Sequence, residues 1–151
     1  MKILNYALIL LFTLGVSSCG SSGSDSDGTA PEVKFTSPST DINNPTLITD
    51  KTVTVAFTGT ISDNDGLQAI TFSELVPSST TKSAENFATD FNEKLNSKEA
   101  SLGSVLDKSE FPINFTVEPL AGSPTKDYTL TCTVTDKSNN KTIKTFYIKV
   151  E

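Results

Sequence analysis

The side chains that could do chemistry in this chain are carboxylates, lysines and two thiols. The sequence has 18 acidic residues, 12 cations that are all lysine, two cysteines and no histidine. Without histidine, the chain cannot build a Ser-His-Asp or Cys-His nucleophile or a histidine-ligated metal site. Without arginine, it lacks the bidentate clamp for phosphate or carboxylate. Carboxylates remain, and they can hydrolyse a glycoside as a pair or bind a cation through oxygen.

Three aspartates in two predicted turns are the best candidates for a shared site. Asp63 and Asp65 belong to the turn DNDG, and Asp136 begins the turn DKSNN. In a β-sandwich both turns are expected at the end where the N-terminal segment enters, and Glu32 could join them there. Oxygen ligands suit Ca²⁺, so Asp63, Asp65 and Asp136 are candidate ligands for Ca²⁺, as an optional rather than a required cofactor. The alternative, which the sequence favours, is that each aspartate only stabilises its own turn by bonding the backbone.

The N-terminus has the features of an export signal. Residues 1–2 give a positive start, and residues 3–16 form a mainly apolar run. A membrane-spanning helix needs ~20 apolar residues, so this run is too short to be a good span. Small residues follow the run, which is typical of a secretory signal.

The segment Val16-Ser17-Ser18-Cys19 resembles the signal of bacterial lipoproteins, in which a branched apolar residue and two small residues precede a cysteine. The resemblance implies that residues 1–18 are a lipoprotein signal peptide and that the Cys19 thiol carries the lipid. The alternative is an ordinary signal peptide with a chance cysteine.

Residues 19–30 are predicted to be the lipidated cysteine and a flexible tether, because the sequence GSSGSDSDGTA after Cys19 cannot bury a core. Asp25 and Asp27 resemble the acidic residues that follow the cysteine in surface-exported lipoproteins of the Bacteroidota. The expected location is therefore the outer membrane, lipid-anchored at the cell surface, with the periplasmic face as the alternative.

Charge and cysteine usage limit the partners further. The formal net charge is −6, which argues against a nucleic-acid partner and against electrostatic binding to anionic lipid. Contact with the membrane is expected through the N-terminal lipid. Because Cys19 is assigned to lipid, Cys132 has no disulfide partner. A lone cysteine on the apolar face of a strand is usually a small core residue and not a nucleophile.

The elements that must position these side chains lie in residues 31–151. Alternation of apolar residues predicts strands near residues 32–36, 52–61, 67–75, 112–118, 128–136 and 141–150, and residues 46–49 are the candidate for a short seventh strand. Gly59 falls on an apolar face and predicts a bulge or a close backbone contact. Between residues 77 and 110 the spacing changes to three and four, which predicts a helix near residues 84–96 with Phe87 and Phe91 in the core. This pattern favours an antiparallel β-sandwich of about seven strands.

Two segments resemble bacterial immunoglobulin-like domains. Residues 60–67, TISDNDGL, resemble the turn between their second and third strands. Residues 127–140 resemble their last hairpin, with Asn139 where the family usually has glycine. The whole chain looks like lipoproteins of the Bacteroidota that carry one such domain and are described as cell-adhesion proteins. The resemblance implies an all-β, immunoglobulin-like sandwich over residues 31–151, with the helix as an insertion.

These features predict a lipid-anchored envelope protein that acts as a non-catalytic binding or adhesion module for a protein or glycan. One alternative is an accessory structural subunit of an outer-membrane complex for glycan uptake. Another is a carboxylate-based glycan hydrolase. That activity would require a pair such as Glu74 and Glu110 to lie ~5–10 Å apart in a cleft.

The lipid assignment predicts a specific mass. Intact-mass spectrometry of the chain from a bacterial membrane should show Cys19 as the first residue with acyl groups attached. In Cys19→Ser the acyl mass should be missing, whereas Cys132→Ser, the matched control, should keep it. An unacylated residue 19 with residues 1–18 still attached would contradict the assignment.

Overall fold

The computed structural model describes residues 27–48, 54–118 and 125–151. The predictions for the signal peptide, for Cys19 and for most of the tether lie outside these residues. The described stretches contain one helix and eight strands. In chain order they are β1 (Glu32–Ser37), β2 (Thr46–Ile48), β3 (Val55–Ser62), β4 (Leu67–Phe72), β5 (Val76–Pro77), α1 (Lys82–Ser101), β6 (Glu110–Val117), β7 (Lys126–Asp136) and β8 (Lys141–Val150).

The strands form two sheets. The first has the order β1-β3-β6 and is antiparallel. The second has the order β2-β8-β7-β4, and β5 also pairs with β7. It is antiparallel except that β2 runs parallel to β8. The described chain is therefore mostly β, with antiparallel and mixed sheets, which is consistent with the predicted all-β sandwich.

Aromatic contacts between the sheets form the centre of the core. Phe57 of β3 is fully buried and stacks on Phe115 of β6, with 4.8 Å between ring centroids. From the second sheet, Phe72 and Phe146 meet Phe57 edge-on at 5.5 and 5.8 Å. Stacked and edge-on pairs at these distances are favourable beyond the area that they bury. Phe57 thus contacts aromatic rings from two strands of the opposite sheet.

The helix packs against strands of both sheets. It contacts β6, an edge of the three-stranded sheet, and β4 and β5 on one side of the five-stranded sheet. Its buried residues are the predicted ones, Ala84, Phe87, Ala88, Phe91 and Leu95. The core assignment of the two phenylalanines is therefore confirmed.

The helix is longer than the predicted residues 84–96. It begins at Lys82 because the side chain of Thr81 accepts a hydrogen bond from the backbone N–H of Ala84 at 3.3 Å. Thr81 is therefore the N-cap residue, which hydroxyl side chains favour. The helix continues to Ser101 through a polar segment that has no apolar spacing to reveal it. Within the described residues, no helix is both long and apolar enough to cross a membrane.

Gly59 lies where two strands come unusually close. It pairs with Phe35 of β1, and the register of β1 shifts immediately afterwards, between Phe35 and Ser37. A Cβ atom at Gly59 would lie 2.4 Å from the carbonyl oxygen of Lys34, a backbone atom that cannot move aside on its own. The predicted close backbone contact is confirmed, and the irregularity is on the partner strand.

Gly59→Ala should therefore destabilise the fold. Overpacking of this kind typically costs about 1–3 kcal/mol, and the free energy of unfolding measured in urea should fall by that amount. Gly28→Ala is the control, because an added Cβ there meets nothing within 4 Å. Equal stability of the two variants would contradict the close-contact explanation.

A candidate metal centre where the N-terminal segment meets the sandwich

Asp63 directly follows β3 and points to the same inward side as the buried residues of that strand. Residues Val55, Phe57 and Ile61 of this strand are buried on one side, and Asp63 continues the same alternation just after the strand ends. Its side chain is only 7% exposed. Oδ1 accepts hydrogen bonds from the backbone N–H groups of Asp65 at 2.9 Å and Gly66 at 3.0 Å. One carboxylate oxygen of Asp63 thus stabilises the turn, as the turn interpretation requires.

Asp136 has the matching position on β7. Every second residue from Tyr128 to Val134 is buried, and Asp136 follows in the same alternation with no exposed surface. Its Oδ1 accepts from the backbone N–H of Asn140, and its Oδ2 accepts from the Asn140 side-chain amide, both at 2.8 Å. Asn139 has a φ of 66°, the left-handed conformation that was predicted for it. The alternation of buried residues along β3 and β7 is therefore enough to predict that Asp63 and Asp136 point inward.

The two turns are neighbours. Leu67 pairs with Asp136, and the backbone N–H of Lys137 donates to the carbonyl of Gly66 at 3.0 Å. The predicted proximity of the two turns is therefore confirmed. The side chain of Asp65 takes a different direction, because its Oδ2 accepts a hydrogen bond from the Ser138 hydroxyl at 3.0 Å on the surface.

The third carboxylate comes from Asp27, in the segment that was predicted to be tether. One carboxylate oxygen from each of Asp27, Asp63 and Asp136 lies within 4.8 Å of the other two. The Asn140 amide donates to the backbone carbonyls of Asp27 and, at 3.3 Å, Thr29. Asp65, the third predicted ligand, is not part of this group. The available signal for Asp27 was its place in an Asp-Gly pair just before β1, which favours a turn at the domain entrance.

The carboxylate cluster, defined as Asp27, Asp63 and Asp136, concentrates negative charge in a largely buried place. Oδ2 of Asp63 and Oδ2 of Asp27 have no hydrogen-bond partner among the described residues. The salt bridges of these stretches lie elsewhere, at Lys34–Glu32, Lys94–Asp90, Lys137–Asp107 and Lys149–Glu151. Burial of a charge without a partner is costly, so the cluster has the composition of a site for a cation.

A hollow of about 340 Å³ opens beside the cluster. Asp63, Thr29 and Glu32 are among its lining residues. Glu32 pairs with Ser62 across β1 and β3, and its side chain forms an exposed 2.7 Å ion pair with Lys34. Glu32 therefore lies at the rim of the hollow, outside the carboxylate cluster.

The carboxylates named for glycoside hydrolysis are far apart. Glu110 begins β6 opposite Ser62, close to the start of β4, whose Leu67 N–H donates to the carbonyl of Lys108. Glu74 follows the other end of β4. Six strand residues at about 3.3 Å each separate the two by roughly 20 Å, which is too far for a hydrolytic pair.

Cys132 is a core residue whose thiol resists deprotonation. It is fully buried on β7, and burial together with the nearby Glu99 carboxylate raises its pKa from 9.0 to about 12. Burial also raises the pKa of Glu99, although its carboxylate accepts a hydrogen bond from the Phe72 N–H. A thiol that stays protonated is a poor nucleophile, so the core interpretation of Cys132 is confirmed.

The raised pKa of Cys132 predicts a loss of stability in alkali. Below pH 9 both the folded and the unfolded chain keep the thiol proton. Between pH 9 and about 12 only the folded chain keeps it, so stability falls as the pH rises. The melting midpoint of Cys132→Ala should fall less steeply than that of the unchanged chain over this range. Iodoacetamide should alkylate Cys132 rapidly in urea and very slowly in buffer at pH 8, and equal rates would contradict burial.

Comparison with known proteins gave no match to a family, to a curated protein or to a solved structure. The functional conclusions below are therefore drawn from the sequence signals and from the geometry of the described residues.

Proposed function

We propose that this chain is a lipid-anchored, non-catalytic binding module of the bacterial cell envelope, with an immunoglobulin-like domain that presents a ligand surface. The observation that carries the proposal is the outer face of the five-stranded sheet. We call this surface the outer face and define it by the outward residues of its strands, which are Leu47, Ala69, Thr71, Val76, Thr129, Thr131, Thr133, Thr135, Ile143, Thr145, Tyr147 and Lys149.

The strand register places these side chains together. Val76, Thr129 and Tyr147 are paired in one row across β5, β7 and β8. Leu47 pairs with Lys149 in the next row. Residues that are paired across strands point to the same side of a sheet, so these groups form one continuous surface.

The outer face exposes apolar side chains on three of its strands. Leu47 is 52%, Val76 55% and Ile143 61% exposed, and these are three of the five large hydrophobic residues that are most exposed in the described chain. Between them lie threonine hydroxyls and Tyr147. A rigid sheet thus presents apolar groups interspersed with polar ones to a partner. A protein surface or the apolar face of a sugar would complement this combination.

A hollow of about 480 Å³ adjoins the outer face. Its lining includes Ile42, Pro45, Tyr128, Tyr147 and Lys149. Tyr128 is almost completely buried, and its hydroxyl has no hydrogen-bond partner among the described residues. The Tyr128 side chain points inward and packs on Phe87 of α1, so it is not offered to a ligand on this side of the sheet. The hollow itself combines the apolar Ile42 and Pro45 with the polar ends of Tyr147 and Lys149, a combination common in ligand sites.

The lipid signal supports the same function. A module that is held at the membrane by Cys19 meets partners at high local concentration, so a modest affinity for each ligand is sufficient. An accessory role in a glycan-uptake complex would use the same outer face and is separated from adhesion by the experiment below.

The binding experiment uses the purified chain on arrays of glycans and host matrix proteins. Val76→Ser and Tyr147→Ala should each weaken binding of the captured ligand by about tenfold, a typical effect for a residue at the centre of an interface. Glu93→Ala, at an exposed site on α1, is the matched control and should bind like the unchanged chain.

Two results would contradict the proposal. One is the absence of binding together with hydrolysis of any arrayed glycan, which would indicate an enzyme. The other is equal binding by the outer-face variants and the Glu93 control. Recovery of a stoichiometric outer-membrane protein with the lipidated chain, lost in Val76→Ser, would support the accessory role instead.

A further inference from the structure

We propose that the carboxylate cluster of Asp27, Asp63 and Asp136 is a Ca²⁺ site, and that the bound ion fastens the N-terminal segment to the sandwich. The proposal goes beyond ligand binding at the outer face and does not depend on it. Three observations support it, namely an unpartnered buried oxygen, the spacing of the ligands and the attachment of residues 27–31 beside the cluster.

The unpartnered oxygen is Oδ2 of Asp63. The Asp63 side chain is more than nine-tenths buried, and its Oδ1 is already bonded to the turn. Oδ2 has no hydrogen-bond partner among the described residues and belongs to a carboxylate of the cluster. A turn-forming role accounts for Oδ1 only. A cation coordinated by Oδ2 would compensate for the burial of its charge.

The spacing fits the size of Ca²⁺. Two oxygens on opposite sides of Ca²⁺, each at about 2.4 Å, are separated by about 4.8 Å. The three carboxylate oxygens lie within that distance of one another. Mg²⁺ usually keeps several of its waters and is bound through one or two carboxylates, so a group of three carboxylates favours Ca²⁺.

The remaining ligand positions are available to solvent. Ca²⁺ takes six to eight oxygens, and carboxylates can bind it through one or both of theirs. Both oxygens of Asp136 accept from Asn140, yet each carboxylate oxygen has a second acceptor position. The hollow of about 340 Å³ beside Asp63 can hold the water molecules that complete the shell.

The N-terminal segment is already attached to the β7–β8 hairpin next to the cluster. Asn140 donates to the carbonyls of Asp27 and Thr29, and the Thr142 hydroxyl donates to the carbonyl of Pro31 at 2.6 Å. The backbone N–H of Thr29 donates to Oδ1 of Asp27 at 3.0 Å, which turns this carboxylate back toward the domain. A shared ion would join Asp27 to two strands from different sheets, so ion binding and ordering of this segment are coupled.

This coupling has a consequence for the distance from the membrane. If Cys19 carries the lipid, only residues 19–26 separate the lipid from Asp27. Eight residues span at most about 29 Å. The ion would therefore hold the end of the sandwich that contains the two acidic turns within that distance of the lipid, and the outer face would be presented from a defined height.

The test measures Ca²⁺ binding by calorimetry with the full chain purified in detergent. Asp63→Asn and Asp27→Asn should each weaken Ca²⁺ binding at least tenfold, because each removes one charged ligand. Asp65→Asn is the matched control, since Asp65 is adjacent and acidic but lies outside the cluster. It should bind Ca²⁺ within twofold of the unchanged chain.

A second measurement tests the attachment itself. Ca²⁺ should slow hydrogen exchange of the Thr29 backbone N–H and raise the melting midpoint, and a chelator should reverse both effects. Asp27→Asn removes a ligand from outside the two sheets, so it leaves the sandwich folded even if Asp63→Asn does not fold.

Several outcomes would overturn the proposal. These are no binding of Ca²⁺ at millimolar concentration, equal binding by Asp27→Asn and the unchanged chain, or an equal rise in the melting midpoint with Mg²⁺. Any of them leaves the array experiment on the outer face unaffected. Conversely, loss of ligand binding in Val76→Ser says nothing about Ca²⁺, so failure of one proposal is distinguishable from failure of the other.

Discussion

The contact between the two sheets at Phe57 is the interaction on which the rest of the structure depends. Its ring is stacked on Phe115 within one sheet and meets Phe72 and Phe146 of the other edge-on. This contact requires the inward face of β3 to oppose the inward faces of β4 and β8, the strands that carry Phe72 and Phe146. Once those faces are opposed, the strand register determines what lies at each end of the sandwich.

At one end, the same alternation that buries aromatic rings also buries charge. Asp63 and Asp136 occupy the inward positions that follow Ile61 and Val134. A strand that continued its apolar pattern would place valine or leucine there. An aspartate in such a position is costly unless its charge is compensated. Asn140 donates hydrogen bonds to Asp136, but the other members of the cluster are carboxylates and repel it. The ordinary acidic turn and the cation site therefore differ in one physical respect, which is burial.

The two proposed sites lie on different parts of the molecule. The outer face of the five-stranded sheet presents Leu47, Val76 and Tyr147 to solvent, away from the inward residues that hold the sheets together. The carboxylate cluster lies where the N-terminal segment enters the domain. A binding surface needs exposed apolar groups on a stiff support, and the sheets supply that support. A cation at the entrance would fasten Asp27 to strands of both sheets.

Most of the secondary structure could be predicted from the sequence because strand and helix periodicity are local properties. The buried side of α1 and the left-handed turn at Asn139 depend on residues within a few positions of one another. The close contact at Gly59 is with Lys34 and Phe35 on another strand, and its local signal was only a glycine at an apolar position. The N-terminal cap at Thr81, three residues before the predicted helix start at residue 84, depends on a single hydrogen bond and was missed for that reason. The parallel pairing of β2 with β8 joins residues about 100 positions apart and has no local signal.

The sequence by itself determined that the chain has carboxylates but no histidine for chemistry, and that Asp63 and Asp136 lie in two turns of an all-β domain. Only the tertiary structure decided that Asp27 joins them while Asp65 turns outward to Ser138. The physical reason is that convergence of residues 27, 63 and 136 is set by the packing of two sheets and an N-terminal segment. No pattern among residues that are neighbours in the sequence predicts that packing.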